Sequence, residues 1–174
     1  MLGEMLMSNF KSILARFLFT ICVLASSTAF AYAPAGTTIE GPGPSSISYA
    51  GMSVPCHLSW AFYIPYADSP TGSITNAEFS QQADDSSFCP QIVGNGLPWA
   101  LGPATETTTP GIYIATISGV SITIPALHAT CTGTLTITLN YNAHLTSITG
   151  TLHNGTVPCG FSANVEGGTL IIGS

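Results

Sequence analysis

The stretch CTGTLTITLNY, from Cys131 to Tyr141, carries the clearest secondary-structure signal in this chain. Apolar and polar side chains alternate along it, and the apolar positions are Leu135, Ile137 and Leu139. A period of two is the period of a β-strand, and β-branched residues favour extended backbone. The pattern therefore predicts a half-buried strand, whose other face consists of Thr134, Thr136, Thr138 and Asn140.

Shorter segments of the same type recur from about Ile47 to the last residue, and turn-forming residues separate them. They are SISYAGMSVPC, HLSWAFYI, GSITNAEF, GIYIATI, GVSITIPAL, LTSITGTLH and GGTLIIGS. No window has a sustained helical period. Many short strands at spacings of roughly 8 to 12 residues are typical of antiparallel sandwiches and barrels. The predicted fold is therefore all-β, an antiparallel β-sandwich or barrel of short strands tied by disulfides.

Residues 1–31 have the features of a secretory signal peptide. Lys11 and Arg16 lie before and at the edge of the apolar run FLFTICVLA, and Ala29-Phe30-Ala31 offers a cleavage site between small residues. The apolar run is shorter than the roughly 20 residues that span a bilayer. We therefore expect a secreted or cell-surface protein, with the periplasm as the alternative location. Residues 32–46, rich in proline and glycine, are predicted to form an extended or loosely ordered lead-in to a single β domain, 47–174.

The net charge of the chain limits the classes of molecule that it can bind. The chain has a formal net charge of −6, and its only basic residues, Lys11 and Arg16, belong to the predicted signal. Without fixed positive charge the exported part cannot neutralise the phosphates of a nucleic acid. The composition therefore excludes nucleic acid as a partner. It leaves a hydrophobic interface, a polysaccharide or further copies of the chain as candidates.

The cysteines indicate a disulfide framework. Cys22 lies in the predicted signal, and the remaining cysteines are Cys56, Cys89, Cys131 and Cys159. An even number in an exported chain predicts two disulfides, for which three connectivities exist. None of these cysteines has a neighbour at the two-to-four-residue gap of a zinc ligand pair. Zinc binding is therefore the disfavoured alternative.

Two parts of the chain, about 47–101 and 111–174, resemble each other. In each, a cysteine precedes a Ser-Ile-Thr strand and a second cysteine follows it: Cys56, Ile74 and Cys89, then Cys131, Ile148 and Cys159. An internal duplication would pair the cysteines within each half, and each disulfide would then close a loop worth about 3 kcal/mol. The alternative is coincidence, because short threonine-rich strands match one another easily.

The residues that could carry catalysis show no recognisable constellation. The histidines are His57, His128, His144 and His153, and only His144 and His153 could approach each other across a hairpin. No serine lies in a Gly-x-Ser-x-Gly motif. The pair Asp84-Asp85 is typical of an exposed polar turn. We therefore expect no catalytic residue, no metal site, no cofactor and no enzymatic activity.

Aromatic residues are concentrated in HLSWAFYIPYADSP and in FCPQIVGNGLPW. Alternation places Trp60 and Phe62 on one face, where core packing is favoured, and Tyr63 on the other. Tyr63, Tyr66 and Trp99 are the candidate surface or ligand contacts. For Trp99 the competing interpretation is a core position beside a disulfide, and the pattern favours it.

Several of these features occur together in one protein family. The export signal, Cys56 in VPC, the Ser-Ile-Thr strand, the run FCPQIVGNGLPW and the GVSITI strand before Cys131 resemble the PraB-type alkane-oxidation protein activators. The resemblance extends from about Gly36 to Gly173. It implies a secreted protein that promotes growth on long-chain hydrocarbons without oxidising them, and it supplies no catalytic residue.

Three functions are compatible with these observations. The leading hypothesis is a secreted, non-enzymatic protein of the cell surface, of a biofilm or of an oil–water interface. The second is a structural or adhesive subunit of a filament or matrix, in which edge strands such as GGTLIIGS pair with the next copy. The third is a carbohydrate-binding module that uses Tyr63, Tyr66 or Trp99.

Overall fold

The structure is a computed structural model that describes residues 30–33, 35–166 and 171–173. Residues 1–29, which hold nearly all of the predicted signal and Cys22, lie outside the described residues. The strands are β1 (Ala31–Ala33), β2 (Gly36–Tyr49), β3 (Met52–Ile64), β4 (Gly72–Ser80), β5 (Val93–Asn95), β6 (Trp99–Leu101), β7 (Thr105–Glu106), β8 (Ile112–Ile124), β9 (Ala129–Asn140), β10 (Leu145–Asn154), β11 (Val157–Glu166) and β12 (Ile171–Gly173). Two single 3-10 turns, Cys89–Gln91 and Pro125–Leu127, lie between strands.

The long strands close into an eight-stranded antiparallel barrel. Around the wall the order is β2, β3, β4, β5 with β6, β8, β9, β10 and β11, and β11 pairs again with β2. The short strands β5 and β6 share one place in the wall, since both lie between β4 and β8. The all-β prediction is confirmed, and of its two forms the chain adopts the barrel. Closure pairs the edges of the long strands within this wall, whereas GGTLIIGS, the edge strand of the filament hypothesis, contributes β12 to the separate two-stranded β1–β12 sheet.

Strand β9 forms where the alternation predicted it. Leu135, Ile137 and Leu139 are buried in the barrel, whereas Thr134 and Thr136 face solvent. Thr136 lies between Thr116 of β8 and Thr149 of β10, so the threonine face continues onto both neighbours. Inward apolar residues of all the long strands build one core, and the indoles of Trp60 and Trp99 are its largest fully buried side chains. Burial of each large apolar side chain in such a core contributes about 1.5–3 kcal/mol.

Most of the lead-in predicted at 32–46 is instead part of the barrel. Strand β2 begins at Gly36 and pairs with β3 along its length, with a β-bulge between Glu40 and Gly43. Proline is tolerated at a bulge, and Gly41 supplies the positive φ of +108° that precedes Pro42. At Gly43 a Cβ atom would lie within 2.1 Å of the Asn164 carbonyl oxygen. These glycines and prolines therefore serve close packing within an extended strand, and the barrel begins at Gly36 rather than at the predicted residue 47.

Both disulfides follow the pairing that a duplication would favour. Cys56 is bonded to Cys89, and Cys131 to Cys159. The first joins β3 to the turn that precedes β5, and β3 and β5 flank β4. The second joins β9 to β11, which flank β10. Each disulfide therefore spans the strand that carries the Ser-Ile-Thr isoleucine, and both isoleucines, Ile74 and Ile148, are fully buried.

The two ends of the barrel differ. At one end, here called the ribbon end, β2, β4, β8 and β10 begin, and the two-stranded β1–β12 sheet lies against it through backbone bonds to Ser69 and Ala104. Tyr32 of this ribbon is fully buried and donates its hydroxyl to the Gly102 carbonyl oxygen at 2.8 Å. Burial raises the pKa of Tyr32 far above its usual value. The opposite end, here called the hairpin end, carries the Ala50–Gly51 and Gly155–Thr156 turns.

Candidate functional site

The predicted contact residues separate into a buried and an exposed group. Trp99 is only 1% exposed, and its indole N–H donates to the Asn95 carbonyl oxygen at 2.8 Å. A surface contact at Trp99 is therefore excluded, because the strand that follows the Gly96 turn directs the ring into the core. Trp60 and Phe62 are also buried, as alternation favoured. Tyr63 and Tyr66 are 43% and 60% exposed and stay as candidates.

These tyrosines belong to a set of exposed apolar side chains near the ribbon end, here called the apolar rim: Ile39, Tyr63, Tyr66, Ile114 and Tyr141. All are exposed, and Ile39 is the most exposed at 74%. Tyr63 lies opposite Thr37 and Ile39 opposite Ala61, so Ile39 and Tyr63 are diagonal neighbours on the outer face. Ile114 lies near the start of β8, and Tyr141 follows the last residue of β9. The rim thus consists of two groups at one end of the barrel, Ile39, Tyr63 and Tyr66 on the β2–β3 side and Ile114 and Tyr141 on the opposite, β8–β9 side.

Hydrogen bonds hold the loop after β4 against strand β3 of the barrel wall. The Nδ1 atom of His57 and the Oδ2 atom of Asp85 are 2.6 Å apart, and the Gln82 backbone N–H donates to the same oxygen at 2.8 Å. The Ser86 backbone N–H also donates to the Pro55 carbonyl oxygen. His57 directly follows the disulfide residue Cys56. Asp85 is therefore not the exposed turn residue that the sequence suggested, whereas Asp84 is exposed.

This arrangement affects the ionisation of Asp85. Desolvation by burial acts to raise the pKa of Asp85, but the hydrogen bonds from His57 and Gln82 and the nearby histidine charge outweigh it and lower the pKa overall. A carboxyl whose pKa is depressed by folding stabilises the folded state at pH values above its ordinary pKa of about 3.9. That contribution is lost as the pH falls from there through the depressed pKa.

We expect Asp85→Asn to lower the free energy of unfolding at neutral pH by about 1–3 kcal/mol, since a charged hydrogen-bond acceptor in a part-buried site is lost. The difference from wild type should shrink as the pH falls below about 4 and then through the depressed pKa of the folded wild-type carboxyl. Urea unfolding from pH 7 to pH 2.5 measures both effects. Asp84→Asn is the matched control, and equal losses in the two variants would contradict the assignment.

The other histidines do not form a site. His144 precedes the first residue of β10, whereas His153 is close to its last, so the two lie at opposite ends of the barrel. Within residues 30–33, 35–166 and 171–173, no three His, Cys, Asp or Glu side chains are grouped as metal ligands. In the same ranges no helix has the length and apolar character needed to cross a bilayer.

Sequence reasoning missed two features. Ile39 was passed over because it lies in a segment rich in proline and glycine, and because its neighbours Thr38 and Glu40 are polar. In the structure Thr38 and Glu40 point inward and are buried, with Glu40 opposite Trp60, while Ile39 points outward. The contact between His57 and Asp85 joins residues 28 positions apart, and no local pattern signals it.

Comparison with known proteins identifies the family. No curated protein and no solved structure matches this chain. A family model, described as alkane oxidation protein activator PraA/PraB-like, matches residues 7–169. That span includes every strand from β1 to β11 and both disulfides. The chain therefore belongs to the PraA/PraB-like family of alkane oxidation protein activators.

Proposed function

We propose that this protein is a secreted, non-enzymatic member of its family that acts where hydrocarbon meets water, and that the apolar rim is its contact surface. The observation that carries the proposal is the concentration of exposed Ile39, Tyr63, Tyr66, Ile114 and Tyr141 at one end of a closed barrel. Ile39, Tyr63 and Tyr66 lie on one side of that end, and exposed apolar groups that are close together are typical of a surface that binds an apolar phase or partner.

The rim has the chemistry of an interfacial contact. Tyrosine places an apolar ring in one phase and a hydroxyl in the other, so it is suited to a boundary between oil and water. Asp68 and Glu106 lie at the same end of the barrel and stay hydrated. Moving each rim side chain out of water contributes on the order of 1 kcal/mol or more. Ile39, Tyr63 and Tyr66, which lie on one side of the barrel end, would act together.

The non-enzymatic part of the proposal is supported by where the candidate bases lie. The Nδ1 atom of His57 is engaged by Asp85 in a contact that fastens a loop. His128, His144 and His153 are exposed and lie on separate turns or strand ends. A role in which the protein presents hydrocarbon to other components, rather than transforming it, requires no catalytic group of its own.

We expect the protein to lower the tension of a hexadecane–water interface, measured by pendant drop. About tenfold more of the variant Ile39→Ser/Tyr63→Ser/Tyr66→Ser, or still more, should be needed for the same reduction in tension. A tenfold difference corresponds to about 1.4 kcal/mol, which is less than the summed contribution of on the order of 1 kcal/mol from each of the side chains removed. The control is Met52→Ser/Phe88→Ser/Val93→Ser, which removes exposed apolar side chains from the hairpin end. Equal loss in both variants would contradict a role for the rim. Wild-type adsorption no better than that of an inert acidic protein would reject the interfacial function.

A further inference from the structure

A shallow groove crosses the outer wall of the barrel over β2, β11 and β10, towards the hairpin end. It consists of two adjoining depressions of about 370 Å³ each, which share Ser48, Thr151 and Gly160. It is here called the side groove. Its volume is in the range of small-ligand sites, about 300–1,000 Å³. The side groove lies on β10 and β11 and on the hairpin-end half of β2, away from the apolar rim.

The side groove exists because an outward position in the middle of the wall has no side chain. Gly160 of β11 pairs with Ser48 on one side and with Thr151 on the other. A Cβ atom at Gly160 would lie 2.4 Å from the Ser48 Oγ atom and would fill the floor. The obstructing atom is the end of a small side chain that can rotate. A larger residue at Gly160 would therefore occupy the groove without displacing backbone.

Hydroxyl groups line the floor in register. Ser46, Ser162 and Thr149 lie directly opposite one another across β2, β11 and β10, about 4.8 Å apart from strand to strand. Among the described residues, the hydroxyls of Thr149, Thr151 and Ser162 have no protein hydrogen-bond partner. Each can both donate and accept a hydrogen bond. The groove therefore offers a row of unengaged hydroxyls.

The remaining lining restricts the class of ligand. No acidic, basic or histidine side chain lines either depression, and Tyr49, Met52, Val157 and Pro158 form an apolar wall at the hairpin end. An anionic ligand would find no cation to pair with its charge. A purely apolar ligand would cover the hydroxyls and leave them without partners, at a cost of about 1–3 kcal/mol each. A sugar ring has hydroxyls at its edge and C–H groups on its faces, and both find counterparts here.

We propose that the side groove binds a neutral polysaccharide, with the chain crossing β2, β11 and β10 and its hydroxyls facing Ser162, Thr149 and Thr151. This binding is independent of adsorption to hydrocarbon, because it uses a different face of the barrel. It would allow one molecule to hold a neutral matrix polymer at its side and an apolar phase at its ribbon end.

The test is affinity electrophoresis of the folded protein in gels that contain hydroxyethylcellulose, glucomannan, laminarin or dextran, with alginate as an anionic comparison. We expect at least one neutral polymer to retard the wild type. Two variants should each weaken retardation at least tenfold: Gly160→Val, which fills the floor, and Thr149→Val/Thr151→Val, which removes hydroxyls while keeping shape. The matched control is Thr116→Val/Thr134→Val, which alters exposed threonines outside the groove.

Each outcome decides the proposal. Retardation that is lost in both groove variants, and kept in the control and in the rim variant, supports it. If Gly160→Val does not fold, as judged by circular dichroism, Thr149→Val/Thr151→Val alone decides. The proposal is overturned if no neutral polymer retards the wild type, if alginate retards it as strongly, or if the threonine variant binds like wild type. The surface-tension assay is separate, so failure here leaves the interfacial function standing.

Discussion

Replacing Trp99 with alanine is expected to lower the free energy of unfolding by about 3–5 kcal/mol, the range found when a large aromatic side chain is removed from a core. The ring is buried and packs against Gly94, where an added Cβ atom would lie only 3.2 Å from it. Its N–H bond to the Asn95 carbonyl oxygen would also be lost. Chemical denaturation followed by circular dichroism measures the change.

Tyr66→Ala is the control for this experiment. Tyr66 is 60% exposed, so its loss should change stability by no more than about 0.5 kcal/mol. Trp99→Phe separates packing from hydrogen bonding, because phenylalanine keeps a ring but cannot donate to Asn95. We expect it to fall between wild type and Trp99→Ala. If Trp99→Ala were no less stable than Tyr66→Ala, the core position of this indole would be wrong.

Removing either disulfide by paired alanine substitution is expected to cost about 2–5 kcal/mol. The sequence separations, 33 for Cys56–Cys89 and 28 for Cys131–Cys159, are nearly the same. Loop-closure entropy depends only weakly on loop length, so the two losses should be similar. Loss of both should leave little of the 5–15 kcal/mol that is typical of a single domain.

Denaturant midpoints of the two paired variants and of wild type, with and without reductant, measure these losses. Reductant should shift the denaturant midpoint of the wild type. It should not shift the midpoint of a variant that lacks both disulfides, and that variant is the control for direct effects of the reductant. All four disulfide cysteines are at most 1% exposed, so reduction in the native state should be slow until denaturant is added. A midpoint that does not move when a disulfide is deleted would contradict its contribution to stability.

The parts of the fold that followed from sequence are those with a local physical cause. Alternation along Cys131–Tyr141 predicted the buried and exposed faces of β9, because side chains of an extended strand point to opposite sides in turn. The likeness of the two halves favoured the observed cysteine pairing. Trp60 and Phe62 fell in the core for the same reason as Leu135. None of these inferences required knowledge of which strands are neighbours.

The apolar rim and the side groove could be identified only once the neighbouring strands were known. Ile39 belongs to the rim because the register of β2 with β3 directs Thr38 and Glu40 inward, which inverts the hydrophobic pattern of the segment. The side groove depends on Gly160 lying between Ser48, which is 112 residues away in sequence, and Thr151. No property of one strand reveals such neighbours.

The amino-acid sequence alone therefore established an all-β chain and its disulfide cysteines, because propensity and alternation act over a few residues. It did not establish every turn, since the predicted break between GIYIATI and GVSITIPAL is only a bulge within the continuous strand β8. Only the tertiary structure showed that the chain forms a barrel rather than a sandwich and that Trp99 is buried. It also brought together the residues of the apolar rim and of the side groove. Those features depend on backbone pairing between distant segments, such as Ser45 with Ala163. The free energy of that pairing comes from the closed barrel as a whole, so the pairing cannot be predicted from any single segment of the sequence.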